Sequence, residues 1–280
     1  MLRRPGPPLL AALACLVALA LTGLLAYRSN TAGGHESAAM QGFVGLNRPH
    51  VAPLADHAVH LADPRSYVLL GLALVAIALA AGRRRVAGAI PIVLFGAGFS
   101  AETLKLLIDQ PRMSEWLGNQ GAITAQWPSG HSAAAMTIAL CAVLAVPGRW
   151  RLTAAAIGGA FAVAVGYSLL VLGWHLPADI VGGYLVAAVW TLLGLATLNA
   201  LERRWPSRAR GEDAPLSPAD RVGPLALAGA FGAAAVALVA ARPQEVLGYL
   251  FAHPSFVVGA TVIAALAFSL AGAMARGLRA

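Results

Sequence analysis

The chain has 280 residues, of which 59% are hydrophobic and only 11% carry a charge. Soluble domains carry about 25% charged residues, and one soluble core could not bury so much apolar side chain. The composition therefore excludes an ordinary soluble protein and predicts an integral membrane protein. The net charge of +8 comes from arginines in short clusters between apolar runs. Such clusters are typical of the loops between membrane-spanning helices, where they set the orientation of the chain in the membrane. We therefore expect no nucleic-acid partner.

Eight apolar segments approach the length of about 20 residues that a membrane-spanning helix needs. In chain order they cover residues 8–27, 67–82, 86–107, 132–146, 152–172, 180–201, 222–241 and 255–274. The second and fourth are short, and we expect each to begin earlier, the fourth near Ser129. The first is longer than the apolar region of a signal peptide, so we interpret it as an uncleaved helix. The segments predict an all-α, multi-pass membrane helix bundle.

The basic residues between these segments predict how the chain lies in the membrane. Fourteen of the 20 Lys and Arg residues fall on the side that holds the N-terminus, and six fall on the other side. The positive-inside rule then places both termini in the cytoplasm, which agrees with an even number of spans. The segment 202–221 is rich in Arg and Pro and is predicted to be a cytoplasmic loop.

The long outer loop, residues 28–66, contains apolar residues at helical spacing between positions 51 and 61. This spacing predicts a short amphipathic helix that either packs on the bundle or shapes a lipid entrance at the membrane surface. Asp56, His57 and His60 lie close together within it and are a weak candidate for a metal site, because two histidines at this spacing are common without a metal.

Two cations lie at the outer end of the third segment. Lys105 is the only lysine in the chain, and Arg112 follows after six residues. A lysine at the end of a spanning helix can also extend its ammonium group to the membrane–water interface without binding a ligand. This pair alone therefore does not establish a site.

A second group lies at the outer end of the fourth segment. Ser129 and Gly130 before a helix offer a hydroxyl and backbone N–H groups to an anion, and His131 can exchange protons near neutral pH. The alternative is a helix cap followed by an interfacial histidine.

A third group consists of Ser168, His175 and Asp179. The histidine and the aspartate are four residues apart, so a helical stretch would place them on one face. A carboxylate that pairs with an imidazole fixes its tautomer and makes it more nucleophilic. The alternative is an interfacial hydrogen bond without chemistry. All three groups fall at the outer ends of segments three to six, where they can converge on one phosphate-binding pocket.

The three groups resemble the motifs of the type 2 phosphatidic acid phosphatase superfamily, which includes undecaprenyl diphosphatases and vanadium haloperoxidases. The family patterns are Lys-x6-Arg-Pro, Pro-Ser-Gly-His and Ser-Arg-x5-His-x3-Asp. Here Met113 replaces the proline of the first pattern, the second is complete at 128–131, and Leu169 replaces the arginine of the third. The resemblance covers about 104–187 and implies a six-helix core within 1–201. Residues 222–280 would then add a C-terminal helix pair.

The resemblance implies an integral membrane phosphatase that acts on lipid phosphates or diphosphates at the extracytoplasmic face, without a cofactor or metal. His175 would attack phosphorus and form a phosphohistidine, and Asp179 would orient it. His131 would protonate the leaving oxygen and then activate water. The phosphate would be held by residues from all three motifs, namely Lys105, Arg112, Ser129, Gly130 and Ser168.

Leu169 matters because the family's arginine at this position binds phosphate. A lost charge-assisted hydrogen bond costs about 1.5–3 kcal/mol. Either an outer arginine (Arg28, Arg48, Arg65 or Arg242) replaces it, or the enzyme is slow or inactive. The alternatives to hydrolysis are therefore a lipid phosphotransferase and a membrane protein that binds lipid phosphates without turnover. The lipid species and the oligomeric state are not indicated by the sequence.

Overall fold

The computed structural model describes residues 4–108, 126–206 and 222–278. Within these ranges the chain is helical and contains no strand, which confirms the predicted all-α class. The helices are α1 (Gly6–Arg28), α2 (Asn30–Val44), α3 (Ala52–His60), α4 (Pro64–Ala80), α5 (Arg84–Ile108), α6 (Gly130–Ala145), α7 (Arg151–Val171), α8 (Pro177–Arg204), α9 (Val222–Ala241), α10 (Pro243–Ala252) and α11 (Pro254–Gly277). A short 3-10 helix, Gly148–Trp150, precedes α7.

Each predicted apolar segment corresponds to one helix, in the order α1, α4, α5, α6, α7, α8, α9 and α11. The two short segments begin earlier, as expected, with α4 starting at Pro64 and α6 at Gly130. The predicted short helix of the outer loop is α3.

The count of eight spans remains a prediction. Among the described residues, five helices are each long and apolar enough to cross a membrane, and α3 with α4 would add a sixth as one span bent by 56°. The helix α6 has 16 residues, fewer than the roughly 20 that cross a bilayer without tilt or thinning. The outward faces of the long helices expose large apolar side chains, such as Leu10 at 70% and Phe95 at 72%. In a membrane these side chains contact lipid.

Two helices were not predicted, α2 and α10. Residues 28–66 were predicted to form a loop with one short helix, because the segment that forms α2 is polar and glycine-rich. Ser29 caps α2 by accepting a hydrogen bond from the Ala32 N–H at 3.1 Å. Phe43 is buried and packs against the rings of Tyr167 and Phe256, with centroids at 5.5 and 4.7 Å. Tertiary packing therefore stabilises a helix that hydrophobic periodicity did not indicate.

The short helix α6 lies at the centre of the bundle and contacts α4, α5, α7, α8 and α11. Its side chains are buried on all sides, which explains why it has no polar face. The C-terminal helix α11 packs on α2 and α7 and buries Ile263, Ala267 and Ala271 in the same core. The helix α11 thus shares the core of the preceding helices, while the predicted boundary at residue 201 remains a prediction.

Several arginines at the end of the bundle opposite the predicted site make structural contacts. Arg83 donates to the Leu144 carbonyl at 2.7 Å, at the C-terminus of α6. Arg151 is buried and donates to the Leu278 carbonyl at 2.9 Å. These bonds satisfy carbonyl groups that a helix end leaves without intrahelical partners. Part of the basic charge therefore stabilises the helix ends.

Candidate active site

The turn between α7 and α8 positions the third motif. The N–H of Trp174 donates to the Leu169 carbonyl at 2.9 Å, and the N–H of Gly173 donates to the Leu170 carbonyl at 3.1 Å. This pair of bonds is the Schellman arrangement, which requires a left-handed residue after the helix. Gly173 supplies it with φ of 78°. The turn reverses the chain within a few residues and places His175 just before α8.

His175 and Asp179 form the predicted pair. The Nδ1 atom of His175 lies 3.3 Å from Oδ2 of Asp179, which also accepts the Leu176 N–H at 2.9 Å. The aspartate side chain is fully buried, and the histidine side chain is 13% exposed. Because a carboxylate can only accept, the shared proton is assigned to Nδ1, and Nε2 keeps a free lone pair. That lone pair is what a nucleophilic histidine needs.

The second motif forms the start of α6. Ser129 is the N-cap of this helix, and its hydroxyl oxygen accepts the Ser132 N–H at 3.3 Å. Its own N–H donates to the Asp179 carbonyl at 2.9 Å, which ties the second motif to the third. The Ser129 side chain is fully buried and its hydroxyl oxygen caps the helix, while its predicted contact with phosphate stays a prediction.

Glycines in α8 allow this close approach. A Cβ atom on Gly183 would overlap the Ser132 hydroxyl and would lie 2.6 Å from the Ser129 carbonyl oxygen. A Cβ atom on Gly182 would lie 2.5 Å from the indole nitrogen of Trp127. Side chains at these two positions would push α8 away from the second motif.

Lys105 comes to the same place from the end of α5. Its Nζ atom is 3.2 Å from where a Cβ atom on Gly130 would stand, and it pairs with Glu102 at 2.7 Å. The lysine side chain is 17% exposed, whereas the Glu102 side chain is 65% exposed. Lys105 is therefore held over the start of α6, where the helix dipole and the backbone N–H groups already favour an anion.

His131 has a carboxylate partner that the sequence analysis missed. Its Nε2 atom lies 3.0 Å from Oδ1 of Asp63, the residue before α4. The ring also packs edge-on against Trp174, with centroids at 6.3 Å. The second and third motifs are thus in contact through Trp174 as well as through Ser129.

Ser168 and Leu169 lie in the last turn of α7. The Ser168 side chain is half-buried, and Leu169 is fully buried within the apolar core. Arg112 and Met113 lie outside the described residues. The four arginines considered as replacements for the motif arginine are all exposed (Arg28, Arg48, Arg65 and Arg242). Of these, Arg242 pairs with Glu245 at 3.4 Å.

His60, the last residue of α3, lies between the carboxylates of two aspartates. His60 lies 4.0 Å from Asp63 and 3.6 Å from Asp56. The backbone carbonyl and the carboxylate of Asp56 raise the pKa of His60 above its ordinary value. In the described parts of the chain, no group of three or more His, Cys, Asp or Glu side chains has the geometry to hold a metal ion.

Two further acidic residues were missed by the sequence analysis, in addition to Asp63. Glu102 precedes Lys105 by one helical turn, so its spacing was an available signal. Glu36 accepts the Ala178 N–H at 2.7 Å at the start of α8, from a helix that was not predicted. Asp63 and Glu36 contact residues far away in sequence, and no local pattern indicates such contacts.

The geometry brings together five of the predicted residues, Lys105, Ser129, His131, His175 and Asp179, beside the Gly130 backbone. The group contains an imidazole with a free nitrogen, a second imidazole with its own carboxylate, and an ammonium group near a helix N-terminus. Such a set can bind a phosphoryl group, attack it, and exchange a proton with the leaving oxygen.

The chain is similar to known proteins in its sequence profile and in its fold. The sequence profile of the PAP2 superfamily matches residues 11–203. Among solved structures, the chain is similar to a transmembrane PAP2-type phosphatidylglycerolphosphate phosphatase from Bacillus subtilis, with a TM-score of 0.54 and 20% identity. The similarity covers 71% of this chain and 99% of the other. No curated protein sequence matches the chain. At this identity the likeness shows a shared fold.

Proposed function

Because the chain belongs to the PAP2 superfamily, we propose that it is an integral membrane phosphatase that hydrolyses lipid phosphate or diphosphate esters through a phosphohistidine intermediate. The observation that carries the proposal is that the second motif contacts the third motif on one side and Lys105 on the other. Ser129 bonds the backbone of Asp179, and the Lys105 ammonium lies beside Gly130. Residues that are far apart in the sequence therefore share one small volume.

In the first step, Nε2 of His175 attacks phosphorus while the bond from phosphorus to the ester oxygen breaks. The electron pair of that bond moves to the leaving oxygen, which takes a proton from His131. In the second step, water attacks the phosphohistidine and gives its proton to His131, and the pair of the P–N bond returns to His175. The products are an alcohol, or a shorter phosphate, and inorganic phosphate. Lys105, Arg112 and the Gly130 N–H hold the phosphoryl oxygens.

A groove beside the site supports a lipid substrate. A cavity of about 280 Å³ lies between α1, α5 and α8 and is lined mainly by apolar residues, among them Leu19, Phe99 and Leu104. Leu104 directly precedes Lys105, so the groove reaches the level of the phosphate site. A hydrocarbon chain in this groove would bring its head group to the lysine.

The site is proposed to face the non-cytoplasmic side of the membrane, because most basic residues lie at the opposite end of the bundle. We expect a membrane-impermeant thiol reagent, added to intact cells, to label Arg65→Cys but not Arg84→Cys in a chain whose Cys15 and Cys141 are replaced by alanine. Labelling of Arg84→Cys but not of Arg65→Cys would show that the topology is the reverse of the one proposed.

The direct test of the function is phosphate release by purified protein in detergent from a panel of lipid phosphates and diphosphates, without added metal. We expect release from at least one lipid and a loss of about 10³-fold or more in His175→Ala, because both chemical steps pass through the phosphohistidine that this group forms. Folded wild-type protein that releases no phosphate from any lipid would support binding without turnover, and Leu169 would be its first explanation.

Phosphotransfer remains the second candidate function, since a phosphohistidine can donate to an alcohol as well as to water. Product analysis in the presence of a lipid alcohol separates the two outcomes. Free phosphate as the main product supports hydrolysis, whereas a newly phosphorylated lipid supports transfer.

A further inference from the structure

Asp63 occupies a helix N-cap but does not act as one. An aspartate in this position ordinarily accepts a hydrogen bond from the backbone N–H groups of the first helical turn. At the start of α4 the Asp63 side chain makes no such bond. Its Oδ1 atom lies instead 3.0 Å from Nε2 of His131, a residue 68 positions later. The carboxylate has a long-range partner in place of a local one.

We infer that Asp63 is a positioning residue for His131, a role that rests on the proposed phosphatase function. By accepting the Nε2 proton, Asp63 fixes the imidazole tautomer and ring orientation, as carboxylates do for catalytic histidines in general. Nδ1 is then the nitrogen that gives a proton to the leaving oxygen and later takes one from water. The electron pairs move as in the two steps above, and Asp63 itself neither gains nor loses a proton.

The surroundings of Asp63 fit this role. Its other oxygen, Oδ2, faces His60 at 4.0 Å, and Asp56 lies on the far side of His60 at 3.6 Å. The Trp174 ring, in a T-shaped contact with centroids at 6.3 Å, restricts the His131 ring from the α7–α8 turn. His131 is therefore held between one carboxylate and one aromatic ring, with 30% of its side chain still exposed to a leaving group or to water.

The test compares kcat/KM for two substrates in Asp63→Asn and in wild type. One is a short-chain phosphatidate, whose leaving group is an alkoxide that needs a proton. The other is p-nitrophenyl phosphate, whose leaving group departs without one. We expect Asp63→Asn to lower kcat/KM by about 10-fold or more on the phosphatidate. This is less than the roughly 10²–10⁴-fold that general acid catalysis contributes as a whole, because Asp63 positions the acid and is not the acid itself. On the aryl phosphate we expect a change below about threefold.

Two further variants serve as controls. Asp56→Asn makes the same charge change on α3, where Asp56 does not contact His131, and should leave both substrates unaffected. Asp63→Glu keeps the carboxylate and should restore part of the lost rate on the phosphatidate. Because Asp63 caps no backbone group, all three variants should retain the thermal stability of the wild type. Equal losses on both substrates, or no loss on the phosphatidate, would overturn the inference.

A second measurement does not depend on turnover. Nitrogen NMR of histidine-labelled protein, with the His131 signal assigned from His131→Gln, reports which ring nitrogen carries the proton. We expect a fixed Nε2–H tautomer in wild type and a mixture of tautomers in Asp63→Ala. An unchanged His131 signal in the variant would contradict the inference, even in a protein that shows no phosphatase activity. Failure of the proposed function would appear separately, as wild-type protein that releases no phosphate.

Discussion

The two histidines of the site each pair with an aspartate, but the two pairs differ in burial and in sequence separation. His175 pairs with a fully buried aspartate four residues away, and its own side chain is 13% exposed. His131 pairs with Asp63 across 68 residues, and the two side chains are 30% and 36% exposed. The buried pair suits a nucleophile, whose orientation must be fixed before it attacks. The open pair suits a group that exchanges protons with a leaving group and with water.

The two aspartates also differ in what else they hold. Asp179 accepts the Leu176 N–H as well as the imidazole, and its backbone carbonyl accepts the Ser129 N–H. It therefore joins the start of α8 to the start of α6. Within the described residues the Asp63 carboxylate contacts two imidazoles, at 3.0 Å to His131 and 4.0 Å to His60. A change at Asp179 should disturb the whole site, and a change at Asp63 should disturb one proton transfer.

The largest difference is expected for Asp179→Asn. Because every substrate would need the proposed nucleophile His175, this variant should lower kcat/KM by about 10²- to 10⁴-fold on both phosphatidate and p-nitrophenyl phosphate. Asp63→Asn should spare the aryl substrate. The comparison is made in one assay, with helix content measured by circular dichroism as a control for folding. If the two variants lower kcat/KM by the same factor on both substrates, the two histidines do not have separate roles.

A smaller and opposite effect is expected for Leu169→Arg, six residues before His175. The described outer arginines are exposed, so we expect no native replacement for the family's arginine. A restored charge-assisted hydrogen bond to phosphate contributes about 1.5–3 kcal/mol, which corresponds to a gain in kcat/KM of about 10-fold or more.

Leu169→Met is the matched control, because Leu169 is fully buried and any substitution there changes packing. It should leave the rate near that of the wild type. A gain with methionine equal to the gain with arginine would attribute the effect to packing. No gain with arginine in a folded protein would contradict the expectation: either another cation, such as Arg112, already supplies the contact, or the side chain at position 169 stays in the core and does not reach the phosphate.

The local parts of the site were predictable from the sequence. The pairing of His175 with Asp179 was predicted from their spacing, although His175 precedes α8 and the two do not share a helical face: Asp179 lies in the first turn and reaches back to His175 and to the Leu176 N–H. Apolar length determines where the spanning helices lie. The contact of Asp63 with His131 depends on how α4 packs beside α6, which no spacing encodes. The helix α2 was missed for the same reason, since its stability comes from the packing of Phe43 against Tyr167 and Phe256.

Ser129 shows why a residue type alone does not determine a role. Its motif predicts a phosphate ligand, which stays a prediction, and the same hydroxyl is also what a helix N-terminus needs, since its oxygen caps α6. A residue type that fits two roles does not determine which one it takes. The predicted role of Ser168 as a phosphate ligand also stays a prediction. Its side chain, in the last turn of α7, is half-buried.

The central claim is that His175 carries the phosphoryl group and His131 serves the proton transfers. The most direct test is to mix His131→Gln with p-nitrophenyl phosphate, quench in alkali, and locate the phosphoryl group by peptide mass spectrometry. Formation of the intermediate needs no acid with this substrate, whereas its hydrolysis needs the missing base. We therefore predict that phosphohistidine accumulates at residue 175. A phosphoryl group on any other residue, or nitrophenol release without a labelled His175, would contradict the account.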